Sequence, residues 1–406
     1  MLSHIIYLAV TYALVFTGFF SSNGFLTLLY QSSAFISFSL YYGTYCVSCL
    51  FAPFVISRLN IRWCIVVSAF MYVMYIGFVS SKMTSLLLVG ACLAGPFHSI
   101  MWISQGILIA RFPDDVRSSY IGTFFGILNS SIIFGNLLSL IVLVTGLTTQ
   151  QMLWILLSIT FVGAVMSIFI MPFSCSELCS LRSIDNGHHV NILDSIKRVF
   201  TTVGIHRGYL LIPIMILQTF DVNVSIQILS RLLIVNAHGD KSVGIYTAAM
   251  YLVYGCSAFV SSMFIGRLFD KLGWKVVFSL YAFFQVISIT GIMLLSKLSS
   301  SGPMGLWMTV SFVKGMSDNI TIVITNISIT NTYKETTDLM MAFYRFTFGI
   351  FYVISSVMVG YVSYEWILLI DGVFVVVSIV SYSFFHVADI GEQFEKSGVV
   401  ISRLVL

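Results

Sequence analysis

The chain has 406 residues, of which 58% are hydrophobic and only 9% are charged, whereas an ordinary soluble domain carries about 25% charged residues. So few charges cannot cover a soluble protein of this size, and a formal net charge of +4 is too small for a surface that follows a nucleic-acid backbone. Composition therefore argues against a cytosolic enzyme, a nucleic-acid binder and a disulfide-stapled secreted domain, and favours a chain embedded in a lipid bilayer.

Long apolar segments follow one another along the whole chain, and crossing about 30 Å of hydrocarbon takes about 20 such residues. No alternating pattern of period two runs through them, so α-helices rather than a barrel must satisfy the backbone in lipid. We predict an all-α integral membrane protein with twelve transmembrane helices, at roughly residues 4–29, 34–56, 63–80, 84–110, 119–144, 150–172, 207–235, 242–265, 275–296, 303–329, 338–361 and 364–387.

The positions of lysine and arginine orient these segments, because both residues accumulate in cytoplasmic loops. With the N-terminus inside the cell, fourteen of the 20 basic residues fall on the cytoplasmic side, four fall on the opposite side and two lie within spans. We therefore expect both termini to be cytoplasmic, in the plasma membrane or an endomembrane. The first apolar segment is too long for a signal sequence and is interpreted as an uncleaved span.

A single long polar stretch divides the segments six plus six. We expect an N-terminal six-helix bundle at 1–172, a cytoplasmic central loop at 173–206, a C-terminal six-helix bundle at 207–387 and a cytoplasmic tail at 388–406. Residues 57–62 after the second segment resemble residues 270–275 after the eighth, at an offset of 213. Duplicated halves are the usual construction of many transporter folds.

The loop after the eighth segment carries a motif, made by Gly266, Asp270, Lys271, Gly273 and Lys275. It resembles the signature loop of the major facilitator superfamily, in which glycines allow a tight reversal. The acid can accept hydrogen bonds at a neighbouring helix N-terminus, and the bases can contact phospholipid headgroups. The alternative is an ordinary basic loop on the cytoplasmic side.

Ionisable residues inside a membrane are costly and are therefore functional candidates. In the predicted first half, His98 is the only one. The predicted second half contains Asp221, Lys314, Asp318, Arg345 and Asp371. Lys314 and Asp318 are four residues apart, so they share one helix face and can neutralise each other.

Two interpretations of these charges stay open. Asp221, Asp318, Lys314 and Arg345 sum to zero and can simply cross-link helices. Alternatively they line a path for a solute or proton, because segments one, four, seven and ten line the central cavity in a major facilitator arrangement. Asp371 lies on an expected peripheral helix near the outer surface and is interpreted as a snorkelling or paired group.

In the fourth segment, His98, Trp102 and Gln105 recur at steps of four and three, which places them on one stripe of a helix. Such a stripe can bind a ligand, or the histidine can be a hydrogen-bonded packing residue. We group the central-cavity candidates as His98, Trp102, Gln105, Asp221, Lys314, Asp318 and Arg345.

We predict that the chain is not an enzyme and holds no cofactor or metal. No nucleophile elbow, phosphate-binding glycine loop or pair of zinc-ligand histidines is found in the sequence. Cys175, Cys179, His188 and His189 could be drawn as a metal site, but adjacent histidines do not share a face and the spacing is not a zinc pattern.

Motifs in the first 145 residues point to one family. They are Leu28-Leu29-Tyr30-Gln31-Ser32-Ser33, Tyr42-Gly43, Ser48-Cys49-Leu50-Phe51, Trp102-Ile103-Ser104-Gln105-Gly106, Gly122-Thr123-Phe124-Phe125-Gly126 and Gly135-Asn136. With them the chain resembles the uncoordinated-ninety-three-like family of ion channel regulatory proteins, a branch of the major facilitator superfamily. The resemblance implies two six-helix bundles and a role as an accessory subunit of potassium channels or a chaperone for membrane receptors.

Two functions follow as hypotheses. In the first, the chain is a regulatory or trafficking partner of a channel, of potassium-channel type, or of another membrane receptor. In the second, it is a secondary transporter of a small solute by alternating access, with proton coupling through Asp221 or Asp318.

Overall fold

The computed structural model describes residues 2–112, 114–170, 192–229, 232–233, 240–297 and 304–396. Within these ranges the regular structure is entirely helical, in agreement with the predicted class. Most of the predicted central loop, with Cys175, Cys179, His188 and His189, and the last ten residues of the predicted tail lie outside the described residues.

The first half consists of seven helices, because the second predicted span is bent by 61° into two pieces. They are α1 (Leu2–Tyr30), α2 (Ser32–Cys49), α3 (Ala52–Arg58), α4 (Ile61–Ser80), α5 (Thr84–Ala110), α6 (Asp114–Val144) and α7 (Thr149–Ser167).

The second half begins with a short helix inside the predicted central loop. The helices are α8 (Ile192–Thr202), α9 (Ile212–Asn223), α10 (Asp240–Lys297), α11 (Met304–Thr332), α12 (Thr337–Tyr361) and α13 (Tyr364–Lys396), with a 3-10 turn at Ile205–Leu211 before α9 and a π turn at Val224–Ile228 after it. α8 is bent by 76° from the segment Ile205–Asn223 and packs its Phe200 ring edge-on against Phe343 and Phe346 of α12.

Polar side chains define several helix ends. Asn60 accepts a hydrogen bond from the backbone N–H of Arg62 at the start of α4, at 3.0 Å, and Thr148 and Gln151 form a reciprocal capping box at the start of α7. Such caps satisfy N–H groups that have no partner within the helix. Gly273 interrupts α10 with φ 76° and ψ 173°, a conformation that is essentially restricted to glycine.

The described residues include eight helices that are long and apolar enough to cross a membrane, or up to ten if each bent pair is one span. One of the eight is the 55-residue stretch Val243–Lys297, which holds the Gly273 break. α11 is not among them, although it has 29 residues, because Lys314, Asp318 and many other polar side chains lower its hydropathy. The chain is therefore a multi-pass helical membrane protein.

The two halves pack together along two helix pairs. α6 crosses the first part of α10 at small residues, where a Cβ on Gly122 would lie 2.7 Å from the Ser262 carbonyl oxygen and one on Gly266 would overlap the Ser118 carbonyl. α2 packs on α12, where the Tyr42 and Tyr352 rings stack at 3.7 Å. The glycines allow the two backbones to approach closely. Helices in lipid associate through such van der Waals packing, because no hydrophobic driving force acts between them there.

Candidate functional site

A buried ion-pair cluster occupies the interior of the second half. The Lys314 ammonium of α11 lies 2.6 Å from Asp221 Oδ1 of α9 and 2.7 Å from Asp318 Oδ1, and all three side chains are fully buried. Asp318 sits one turn beyond Lys314 on the same helix, the i,i+4 arrangement expected from the spacing. The Tyr254 hydroxyl donates to Asp318 Oδ2 at 2.9 Å.

Neutral side chains and a third acid extend this cluster. Gln285 Nε2 donates to Asp221 Oδ1 at 2.5 Å and to Asp371 Oδ2 at 2.7 Å, while its Oε1 accepts from Lys314 at 3.3 Å. The Tyr281 hydroxyl donates to Asp221 Oδ2 at 2.9 Å. Asp371 is fully buried, so it does not snorkel to the surface. Of the two interpretations, the structure fits a paired group, whose partner is Gln285.

The residues of this cluster differ from the four charges that the sequence groups because they sum to zero, Asp221, Asp318, Lys314 and Arg345. Asp371 belongs to it, whereas Arg345 does not: its guanidinium lies over the rings of Trp102 and Tyr344. The cluster thus joins three carboxyl groups and one ammonium from α9, α11 and α13 through Gln285 of α10. Residue counting along the helices could not distinguish which of the embedded charges face one another.

His98 lies in an aromatic cluster of the first half. Its Nδ1 atom is 2.8 Å from the Tyr41 hydroxyl and also contacts the Tyr72 hydroxyl, and its ring centroid is 5.5 Å from that of Phe19. His98 is only 5% exposed. These contacts fit the packing interpretation of the histidine.

The rest of the predicted stripe on α5 faces the second half. The Arg345 guanidinium carbon lies 4.5 Å from the centroid of the Trp102 ring, and Trp102 and His98 have ring centroids 6.0 Å apart. Gln105 is 1% exposed and its Oε1 has no hydrogen-bond partner. The structure thus separates the predicted central-cavity residues into two groups, one around Lys314 and one around Arg345.

The signature loop lies where α10 meets the start of α6. Gly266 lies against the Ser118 carbonyl, and Asp270 forms a hydrogen bond with the Ser118 side chain. Neighbouring protein atoms remove water from the Asp270 carboxyl and raise its pKa, and the bond with Ser118 opposes that shift. Lys271 and Lys275 are exposed, as expected for bases at a membrane surface.

Comparison with known families decides the identity of the chain. The family described as ion channel regulatory protein UNC-93 matches residues 27–385, which include most of both halves, the ion-pair cluster and the signature loop. The chain belongs to the UNC-93 family. No curated protein matches it.

Membership makes this UNC-93 protein an ion channel regulatory membrane protein, as the resemblance of its first 145 residues implies. The match also extends the resemblance from those residues to most of the second half. Within the described ranges, no group of three or more histidine, cysteine or acidic side chains has the geometry of a metal site.

Three residues that link helices at or near the site of this UNC-93 protein were not identified from the sequence. Gln285 and Tyr281 are neutral and look like ordinary span residues, although both bind Asp221. Arg117 counts as a loop base in the sequence, yet it is only 4% exposed. Its guanidinium donates to the Phe112 carbonyl at 2.7 Å and to the Thr330 carbonyl of α11 at 3.3 Å, so it ties the halves together.

Proposed function

We propose that this UNC-93 protein is a regulatory or trafficking subunit of a channel of potassium-channel type, or of another membrane receptor, and binds it within the bilayer. The single observation that carries the proposal is the family match across residues 27–385. We further propose twelve spans in the major facilitator arrangement, with both termini, the loop at 173–206 and the tail at 388–406 in the cytoplasm.

The packing of the halves supports that arrangement. An offset of 213 residues, which relates the two loop motifs, also carries the second span onto the eighth and the fifth span onto the eleventh. The contacts of α6 with the first part of α10, and of α2 with α12, are then the two helix pairs that a twofold axis between the halves would relate. The break at Gly273 supports counting α10 as two spans, because 55 helical residues would extend about 80 Å, far more than a bilayer.

The transporter alternative has less support. Lys314, Asp221 and Asp318 are fully buried and bind one another, so these charges already serve as links between helices. Proton coupling through Asp221 or Asp318 would have to break those bonds during each cycle.

A co-expression experiment tests the regulatory function. Individual potassium channels are expressed with and without the full chain, and both current and surface delivery are measured. Gly266→Leu, which forces α6 and α10 apart, is expected to abolish the effect on the responding channel. Gly43→Leu is the matched control, because a Cβ at Gly43 meets no atom within 4 Å, and it is expected to act like the unmodified chain.

The proposal is wrong if no membrane protein copurifies with the chain from native membranes and no channel in the panel responds. A flux measurement on purified protein in liposomes tests the alternative. Gradient-driven uptake that is lost in Asp221→Asn and Asp318→Asn would establish a transporter instead.

A further inference from the structure

Arg345 is a cation buried at the seam between the two halves. It lies in the third turn of α12 and is only 5% exposed. Its guanidinium carbon is 4.5 Å from the ring centroid of Trp102, which belongs to α5 of the first half, and 4.5 Å from that of Tyr344. Both halves of the molecule therefore contribute to its surroundings.

Two of the three guanidinium nitrogens are left without acceptors. Arg345 Nε and Nη2 are buried and make no hydrogen bond, and no ion pair joins Arg345 to an acid within the part of the chain that the structure describes. Arginine stays protonated in proteins, and burying an ion without a partner is costly. The contacts with Trp102 and Tyr344 offset only part of that cost.

Close helix contacts bracket this position on both sides along α12. One turn before Arg345, the Met341 side chain lies 2.9 Å from where a Cβ on Gly106 would be. One turn after it, a Cβ on Gly349 would lie 2.7 Å from Cys46 Cβ. Packed side chains thus lie on both sides of Arg345 along α12.

Other polar groups lie near Arg345. The Tyr45 hydroxyl of α2 is fully buried beside the Cys49 thiol, and both Tyr45 and His98 are within electrostatic range of Arg345. A ligand with oxygen acceptors that takes hydrogen bonds from the guanidinium would therefore also lie near a tyrosine hydroxyl.

We propose that Arg345, Trp102 and Tyr45 form a binding site for a small organic carboxylate at the seam between the halves. A carboxylate matches the planar guanidinium fork with two parallel hydrogen bonds. It also neutralises a single buried cation, whereas a phosphate dianion would leave excess negative charge in an aromatic compartment. Such a ligand would contact both halves and would favour the arrangement in which Arg345 of α12 lies against Trp102 of α5. This site goes beyond the proposed channel regulation and does not depend on a partner.

The test uses the purified full-length chain in detergent, so its outcome is independent of any channel. Acetate and benzoate are titrated at constant ionic strength, with chloride and phosphate as comparison anions. Melting temperature and tryptophan fluorescence are recorded. Both carboxylates are expected to raise the melting temperature and change the fluorescence with saturation, and Trp102→Phe is expected to lose the fluorescence change, which assigns that signal to the ring beside Arg345.

Variants at Arg345 separate binding from general salt effects. Arg345→Gln is expected to abolish the carboxylate response, and Arg345→Lys to weaken binding about tenfold or more, because charge-assisted hydrogen bonds are lost. Arg58→Gln is the matched control: Arg58 is an exposed arginine that also lies over a ring, that of Phe54, and its loss should change nothing.

Two results would overturn the site. One is a carboxylate response that persists in Arg345→Gln; the other is stabilisation by chloride or phosphate equal to or greater than that by the carboxylates. If Arg345→Gln does not fold, the fluorescence change and its loss in Trp102→Phe decide the question on their own.

Discussion

Replacing Lys314 by methionine removes the ammonium that two buried carboxylates share. Lys314 Nζ lies 2.6 Å from Asp221 Oδ1 and 2.7 Å from Asp318 Oδ1. At an effective dielectric constant of about 20, each pair attracts by roughly 6 kcal/mol, and the desolvation of the ions cancels much of this. Removing one partner of a buried pair typically costs about 3–5 kcal/mol, so we expect Lys314→Met to lower stability by about that amount.

The assay is thermal unfolding of the full chain in detergent, followed with a maleimide dye that reacts with cysteines exposed on unfolding. Cys46, Cys49 and Cys64 are buried and free, so they report the loss of structure. Lys314→Met is expected to melt several degrees below the unmodified protein. Adding Asp221→Asn and Asp318→Asn should recover most of the loss, since replacing a whole buried ion pair with neutral groups is often tolerated.

Melting of Lys314→Met at the temperature of the unmodified protein would contradict this expectation. A triple variant less stable than Lys314→Met would also contradict it, because two carboxylates without the ammonium should be less stable than the two amides that replace them.

Further expectations concern the seam, the loop and the topology. Gly266→Ala should lower the free energy of unfolding by about 1–3 kcal/mol, because the added Cβ overpacks against Ser118. The melting temperature should therefore fall in Gly266→Ala, whereas Gly43→Ala should melt like the unmodified protein. Gly273→Ala should lower the free energy of unfolding by about 1–3 kcal/mol, because φ 76° with ψ 173° is strained for alanine. Gly77→Ala is its control, since a Cβ at Gly77 meets no atom within 4 Å. Equal melting temperatures of the two variants would contradict this expectation. An epitope tag at either terminus should bind antibody only after permeabilisation; labelling of intact cells would reverse the proposed orientation.

Sequence reasoning predicted the features that depend on local spacing. The pairing of Lys314 with Asp318 follows from four residues on one helix, and the positive φ at Gly273 lies within a glycine-containing loop that the motif marks as a reversal. Likewise, the apolar segments predicted a helical membrane protein from composition alone.

Features that depend on how helices rotate against one another could not be predicted in the same way. Asp221, Gln285 and Asp371 lie on three helices, and only their rotation brings them to one point. Arg345 was grouped with Lys314 because both are embedded bases, yet an aromatic partner on the other half holds it. Each of these assignments needs three-dimensional contacts between segments that lie far apart in sequence.

The ion-pair cluster has a consequence for how the protein enters the membrane during synthesis. α11 carries both Lys314 and Asp318, and a charged residue at the centre of a helix costs about 2.5–3.5 kcal/mol during insertion by the translocon. Asp221 and Gln285 belong to helices made earlier, so their arrival beforehand gives the lysine a partner as it leaves the aqueous channel. Synthesis order thus favours insertion of α11 alongside its predecessors, while Asp371 joins only when the final span is made.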